Sequence, residues 1–282
     1  MTAATAKRLS LALSTLVGLL VAAAFLAPIL WTILSSFRGG SEAFQVPLPP
    51  WPTQGVSVDS YLRLDAAGEG ILRHSANSGF VAGMTVVLSV IVSLFAGYGF
   101  SRFRFPMRNV LFVLIMATLM IPFQSILTPL FILLAKLGLQ NTLIGLVLVY
   151  TTLQLPFSIF MMRNAFDAVP KEIEEAARME GVTTFQMLFR VLLPLVMPGV
   201  ATVAIFAFLN AWNEFLAALI FLSDPDKLTL PVLIAQVRAG RFGSVDWGAV
   251  QAGVTAMMIP CLIVFLALQR FYIRGLTAGA VK

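Results

Sequence analysis

The sequence has few charged residues, one cysteine and one histidine. Only 11% of its 282 residues are charged, whereas a soluble globular domain carries about a quarter. A lone cysteine, Cys261, excludes an intrachain disulfide. The lone histidine, His74, lies beside Arg73 in a polar segment, so we expect an ordinary surface residue and no metal site.

Missing motifs exclude two classes of enzyme. Glycine never precedes lysine in the chain, so the Gly-Lys-Ser/Thr signature of a P-loop ATPase is absent. No aspartate pair, HExxH motif or serine–histidine arrangement supports an intramembrane hydrolase. We therefore expect no catalytic residue in this chain and no cofactor bound to it.

Long apolar runs take the place of charge. The composition is 59% hydrophobic with a mean hydropathy of +0.92, and about 20 apolar helical residues span a bilayer. Six runs reach that length without the alternation of barrel strands: residues 9–34, 80–100, 110–135, 142–162, 200–222 and 250–271. The first run is too long for a signal peptide. The sequence predicts an all-α membrane protein, with residues 1–282 as one transmembrane domain.

The distribution of lysine and arginine predicts the orientation. With the N-terminus in the cytoplasm, the inside segments hold twelve basic residues: Lys7, Arg8, Arg102, Arg104, Arg108, Arg163, Lys171, Arg178, Arg190, Arg270, Arg274 and Lys282. The outside segments hold seven: Arg38, Arg63, Arg73, Lys136, Lys227, Arg238 and Arg241. The excess predicts both termini inside. The same bias explains the net charge of +6 without nucleic acid.

Turn-forming and proline residues subdivide the chain further. Residues 38–78, with "VPLPPWPTQG", predict an external loop or small cap that is too polar to be buried. Pro122, Pro129 and Pro156 lie inside the third and fourth runs, where we expect kinked helices. After the sixth run, residues 272–282 are rich in small residues and cannot build a core of their own.

A polar segment, residues 163–199, separates the fourth and fifth runs on the predicted cytoplasmic side. Pro170 suits a first helical position, and the acids that follow suit the early turns of a helix. Gly181 is expected to end that helix with a positive φ, and Thr183 with Gln186 predicts a capping box. Pro194 is expected to close or kink the second helix. The residues alone fit either a solvated acidic loop or a partner-binding surface.

The segment "EEAARMEGVTTFQMLFRVLLP" decides between these, because it resembles the EAA loop of ABC importer membrane subunits. Glu175-Ala176-Ala177, Gly181 and Val191-x-Leu193-Pro194 match E-A-A-x-x-x-G followed by I-x-L-P. Val191 replaces the usual Ile, and Glu180 stands where Asp is common. "NSGFVAGMTVVLSVIVSLFAGYGFSRFRFP", "NAWNEFLAALIF" and "RGLTAGAVK" are similar to segments of the maltose-type sugar permeases, the smaller six-helix kind.

The resemblance implies a complex in the inner membrane. Its parts would be this permease, a second permease subunit, two ATPase subunits that bind ATP and Mg²⁺, and an external solute-binding protein that delivers a sugar. It assigns ATPase coupling to Glu174, Glu175, Ala176, Ala177, Glu180, Gly181, Val191, Leu193 and Pro194. It also implies an ATPase contact for the tail residues Gly275, Leu276, Thr277, Ala278 and Gly279, although a frayed basic tail is the alternative.

Glu214 is an acidic residue that lies deep in the fifth apolar run. An ionisable residue at such a position is a functional hypothesis by default, and Asn210 and Glu214 would share a helix face with Asn213 beside them. These groups, with Trp212 for stacking, could line a sugar pathway; alternatively, Glu214 forms a structural or gating bond. An ion-coupled secondary transporter using Glu214 is a further alternative, but the chain shows no convincing repeat.

Overall fold

The computed structural model describes residues 3–49, 51–67, 70–240 and 245–278, with side chains from residue 11 to residue 269 of these ranges. Within them the regular structure is entirely helical. The α-helices are α1 (Ala3–Ser36), α2 (Asp59–Ala66), α3 (Ile71–Arg102), α4 (Arg108–Ala117), α5 (Phe123–Lys136), α6 (Leu143–Asp167), α7 (Lys171–Met179), α8 (Thr184–Gln186), α9 (Leu193–Asn213), α10 (Leu216–Phe221), α11 (Leu230–Arg238) and α12 (Trp247–Ala278). The prediction of an all-α protein is confirmed for the described residues.

Five helices are long and apolar enough to cross a membrane, and a bent pair supplies a sixth candidate. The five are Leu11–Ser36, Ile71–Arg102, Leu143–Asp167, Thr184–Asn213 and Trp247–Gln269. The bent pair is Arg108–Met120 with Phe123–Lys136. Apolar runs thus predicted the candidate spans, although two of the runs are not continuous helices.

The third run is broken rather than kinked. Its two halves meet at 102°, with Pro122 before the first residue of α5 and Ile121 extended at φ −79°, ψ 119°. A residue that precedes proline is disfavoured in the helical region, which explains the position of the break. Pro129 lies inside α5 without ending it.

The fifth run is also interrupted. Helix α9 ends at Asn213, Glu214 is extended at φ −69°, ψ 132°, and the short α10 follows. The prediction that Asn210 and Glu214 share one helix face is therefore wrong, because Glu214 lies beyond the end of the helix. Hydropathy averaged over the run does not locate this break, since the polar Asn210, Asn213 and Glu214 lie within a run that is otherwise apolar.

The chain divides into two compact units, of which the first comprises Met1–Ile71 and Ile234–Met258. In this unit Arg38 and Glu42 are fully buried, so residues 38–78 are not simply an exposed loop. Helix α2 lies within that stretch, and α3 already begins at Ile71. Arg38 donates to the carbonyl of Pro49, and its Nε lies 3.8 Å from Oε1 of Glu42.

Backbone amides stabilise the Glu42 carboxylate. Burial alone would raise its pKa, but the N–H groups of Thr53 and Gln54 donate to it and Arg38 adds an opposite charge. The donor distances are 2.9 Å from Thr53 and 3.2 Å from Gln54. The net effect is a pKa below the ordinary value for glutamate, so the charged form is favoured in the folded chain.

The second unit comprises Leu72–Leu233 and Ile259–Lys282. In it His74 is 1% exposed and its Nδ1 lies 2.9 Å from the carbonyl oxygen of Leu228. The prediction of a surface histidine is wrong, because α3 extends further toward its N-terminus than hydropathy indicates. Asn77 and Ser78 add bonds to the same segment, from Asn77 Nδ2 to the Leu228 carbonyl and from the Leu230 N–H to Ser78 Oγ.

Helix α6 packs closely against α3 and α9 in the second unit. A Cβ added at Gly97 would lie 2.6 Å from Cβ of Met162, and one at Gly199 would lie 2.6 Å from Cβ of Ala165. Real Cβ atoms do not approach so closely, so both positions require glycine. By contrast, a Cβ added at Gly79 meets nothing within 4 Å.

Candidate coupling and translocation sites

The predicted coupling segment folds as two helices joined by a tight turn. Pro170 precedes α7 by one residue, as its N-cap rather than its first residue, and Glu172 and Glu174 occupy the first turn. Acidic side chains at that end interact favourably with the helix dipole. The turn that follows brings the chain into α8 within four residues.

The turn has the geometry that its sequence predicts. Gly181 has φ +80°, a conformation that costs little only for glycine. Its N–H donates to the carbonyl of Arg178 at 3.0 Å, and the Val182 N–H donates to that of Ala177 at 3.2 Å. Thr183 and Gln186 form a reciprocal capping box. These local predictions are confirmed.

A buried ion pair ties α7 to the end of α3. Arg102 donates through Nε to Oε1 of Glu174, and the two side chains are 7% and 6% exposed. Arg102 also donates to the carbonyl of Val169 at 2.9 Å and lies 3.9 Å from Asp167. Glu174 was predicted to face a partner, but it is committed to Arg102 within the chain.

The neighbouring residues remain available on the surface of α7. Glu175, Ala176 and Glu180 are exposed, and Ala177 is half-buried. Ile173, which precedes Glu174, is 38% exposed. The exposed surface of α7 and its turn therefore combines several carboxylates with small and apolar side chains, a surface that permits close approach of another protein.

The second helix of the segment continues into a candidate membrane span. A π-helical stretch, Met187–Leu192, joins α8 to α9, so that Thr184–Asn213 forms one run of 30 residues. Pro194 lies in the first turn of α9, and the helix continues through it, so the prediction that Pro194 closes the second helix is wrong. A kink at this position stays a prediction. Val191 and Leu193 are half-buried against a core that includes Phe166.

Apolar side chains of the π-helical stretch pack against α6 and fix the coupling segment to it. Met187, Leu188 and Leu192 are at most 2% exposed and belong to the same core cluster as Met162 and Phe166 of α6. The two ends of the coupling segment are thus fixed by different means, an ion pair at α7 and apolar packing at the π-helical stretch.

Glu214, predicted as a pathway residue, lies just after the end of α9 and is held there by hydrogen bonds. It accepts hydrogen bonds from the Tyr150 hydroxyl and from the N–H groups of Ala217 and Ala218, the last two at 2.9 and 3.2 Å. Its carboxylate therefore caps the first turn of α10 while it joins that turn to α6. Tyr150 is 64 residues distant in the chain, and the sequence offered no signal for it.

A cavity of about 210 Å³ lies beside this carboxylate. It is lined by Thr85, Tyr150, Leu153, Gln154, Ala207, Asn210, Ala211 and Glu214. Asn210 donates to Gln154 at 2.9 Å. The hydroxyl of Thr85 is buried without a partner among the described residues, so the cavity presents both bonded and free polar groups.

The other two predicted pathway residues do not line this cavity. Trp212 is 3% exposed, and its ring stacks on Phe208 at 5.6 Å between centroids. A buried indole cannot stack on a passing sugar, so that expectation is wrong for this conformation. Asn213 is exposed and donates to the carbonyl of Leu209 at 2.8 Å.

The predicted tail is helical at its start. Helix α12 continues to Ala278, so Gly275 to Ala278 extend the sixth span rather than form a loose segment. Gly279 lies outside the described residues. Among the side chains that the structure describes, no group of three or more histidine, cysteine or acidic residues could hold a metal ion.

Comparison with known proteins defines the class of this fold. Residues 89–277 match the family model of the binding-protein-dependent transport system inner membrane component. The probable ABC transporter permease protein YurM of Bacillus subtilis is 36% identical over 259 residues, which cover 90% of this chain and 83% of YurM. The arabinooligosaccharides transport system permease protein AraQ of Halalkalibacterium halodurans is 34% identical, covering 92% of each chain.

A solved structure has the same fold. A chain of a bacterial ABC transporter involved in the import of the acidic polysaccharide alginate superposes with a TM-score of 0.77 at 24% identity, over 96% of this chain and 99% of that one. The class is thus the membrane-spanning permease of ABC importers, a transport component that is not itself catalytic. The chain belongs to the family of binding-protein-dependent transport system inner membrane components.

Proposed function

We propose that this chain is a permease subunit of an ATP-driven, binding-protein-dependent sugar importer in the cytoplasmic membrane. Both termini lie in the cytoplasm. The chain forms half of the translocation pathway beside a second permease, receives sugar from an external binding protein, and contacts two ATPase subunits. Family membership supports the importer class, and the name of AraQ, a carbohydrate permease, supports the substrate class.

The observation that carries the coupling role is the anchored geometry of residues 171–192. The ion pair with Arg102 holds the Glu174 face of α7 against the end of α3, and Glu175 and Ala176 remain exposed on the surface. An ATPase that binds this surface would pull on α7, and the ion pair would transmit the displacement to α3. The π-helical stretch would transmit it to α9.

The cavity at Glu214 is proposed as a part of the pathway that contacts sugar hydroxyls. Gln154 and Asn210 offer amide groups, and Thr85 offers an unpaired hydroxyl. Because Glu214 already accepts three hydrogen bonds, its main role would be to hold α10 against α6 at the edge of the cavity. This role differs from that of an ion-carrying carboxylate in a secondary transporter.

Reconstitution tests the proposal. This chain would be purified with its partner permease, ATPase and binding protein, and uptake of labelled arabinotriose and maltotriose would be measured in proteoliposomes. We expect uptake of at least one oligosaccharide that requires both ATP and the binding protein. Uptake without ATP that stops when an ionophore collapses the ion gradient would instead support secondary transport.

A further inference from the structure

The turn between α3 and α4 carries a basic surface that the coupling role leaves unexplained. Two adjacent depressions, of about 440 and 600 Å³, share Arg104 and Arg108 in their walls. The larger also includes Arg102, Lys171, Asp167 and Glu172. Four cations therefore face two carboxylates in this region.

Most of these basic side chains form no ion pair within the residues that the structure describes. Arg102 is committed to Glu174, and Asp167 is shared by Arg102, Arg163 and Ser101. Within the described part of the chain, Arg108 reaches only a backbone carbonyl, that of Phe103 at 3.2 Å. Among the described residues, Arg104 and Lys171 have neither an ion pair nor a side-chain hydrogen bond.

An exposed apolar surface begins directly beside these cations. Met107 is 64% exposed, and along α4 Val110, Val113 and Leu114 are 51%, 63% and 58% exposed. This helix is the first half of the bent candidate span, so its exposed side chains suit hydrocarbon. A phospholipid has a charged headgroup and apolar acyl chains. The unpaired cations could contact the headgroup while the apolar side of α4 contacts the acyl chains.

We propose that Arg104, Arg108 and Lys171 bind the phosphate of an anionic phospholipid whose acyl chains lie along α4. Guanidinium groups bind phosphate oxygens through paired N–H donors, and basic residues at the cytoplasmic surface attract anionic lipids. The site lies against the first residue of α7. Lipid binding would therefore stabilise the same end of α7 that Arg102 holds.

Direct lipid binding tests this site without a transport assay. The assembled complex in mild detergent is titrated with short-chain phosphatidylglycerol or with phosphatidylcholine of the same chains, and bound lipid is counted by native mass spectrometry. Each basic residue contributes about a fivefold change in affinity. We expect Arg104→Ala to weaken phosphatidylglycerol binding about fivefold and Arg104→Ala with Arg108→Ala about 25-fold. Phosphatidylcholine binding should be unchanged.

Lys136→Ala is the matched control, because Lys136 is an exposed cation at the opposite end of the bent pair and forms no ion pair with any side chain that the structure describes. Its effect should stay below twofold. Equal affinity of wild type and Arg104→Ala for phosphatidylglycerol would overturn the proposal. Displacement of the lipid by millimolar inorganic phosphate would reassign the site to free phosphate. Loss of ATPase subunits from the Arg104→Ala complex with lipid binding intact would reassign it to a protein contact.

Discussion

Glu174 and Glu214 both lie in segments that the sequence marks as functional, and both are bound within the chain, but by different partners. Glu174 pairs with one buried cation, Arg102. Glu214 accepts from a tyrosine hydroxyl and two backbone amides at a break between helices. The first bond joins two helices through charge, whereas the second satisfies polar groups that a helix end would otherwise leave without partners.

This difference predicts how much stability each region loses when one of these residues is substituted. Removal of one member of a buried ion pair leaves an uncompensated charge, whereas removal of an acceptor leaves neutral donors without partners. The coupling segment should therefore be the more sensitive of the two to single substitutions at its anchor, even though its outer face is exposed. Substitutions at Glu174 and Glu214 test this contrast, and two further experiments extend it to the coupling turn and to the buried Glu42.

The largest effect is expected for Glu174→Ala. Arg102 would keep its charge in a buried position with only the more distant Asp167, at 3.9 Å, as a counter-ion, at a cost of up to about 3–5 kcal/mol. Chemical unfolding in mixed micelles would measure the free energy of unfolding. Glu175→Ala is the matched control, since its exposed carboxylate has no ion pair among the described residues, and it should change stability by less than about 0.5 kcal/mol. Equal effects of the two substitutions would contradict the anchor.

A smaller effect is expected for Glu214→Ala. The substitution leaves the Tyr150 hydroxyl and two N–H groups without their acceptor, which costs about 1–3 kcal/mol for each donor that finds no other partner. Transport should fall while the complex still assembles, provided that Glu214 borders the pathway. Size-exclusion chromatography of the complex and sugar uptake would be measured together.

Two further variants sharpen that result. Tyr150→Phe removes one donor, so in a double-mutant cycle its effect should shrink once Glu214 is already alanine. Asn213→Ala serves as the control, because the Asn213 amide bonds to the Leu209 carbonyl and to Cys261, outside the Tyr150–Glu214 pair. Loss of assembly in Glu214→Ala would assign the carboxylate a purely structural role.

Gly181→Ala should have a third, more specific effect. Alanine at φ +80° costs about 1 kcal/mol or somewhat more, although a Cβ there meets no atom within 4 Å. The variant should insert normally but lose ATPase co-purification or hydrolysis stimulated by the binding protein, because the angle between α7 and α8 changes. Gly79→Ala, in a helix with equally open space, should keep both. Wild-type coupling in Gly181→Ala would show that this turn is not the coupling element.

The smallest effect concerns pH. Glu42 has a lowered pKa in the folded chain, so its carboxylate contributes stability that is fully present above its unfolded pKa of about 4.3. This contribution is lost as the pH falls through the lower folded value. Thermal unfolding between pH 6 and pH 3 should therefore show a loss below about pH 4 that Glu42→Gln removes. An identical pH profile for wild type and Glu42→Gln would contradict this assignment.

Local signals predicted much of the fold and part of the site. Hydropathy located the candidate spans, and the pattern at Gly181, Thr183 and Gln186 predicted the turn and its capping box. Each of these depends on residues a few positions apart, whose side chains determine the backbone around them. The resemblance to ABC importer permeases then led to the right family.

Long-range partners could not be predicted in the same way. Arg102 and Glu174 are 72 residues apart, and Tyr150 and Glu214 are 64 apart. The segment "KEIEEAARME" has several acids, and the one that is buried is the one beside the end of α3. A single sequence does not show where the end of α3 lies relative to α7. The burial of His74 was missed for a related reason, because the polar first turns of α3 resemble a loop in hydropathy.

The continuous helix from Thr184 to Asn213 has a mechanical consequence. At 1.5 Å per residue its 30 residues are about 45 Å long, and it carries the coupling turn at one end and the Glu214 break at the other. A tilt of about 5° around one end displaces the other by about 4 Å at that length. Such a lever would convert a small rotation at the coupling turn into a displacement of several ångströms beside the cavity at Glu214.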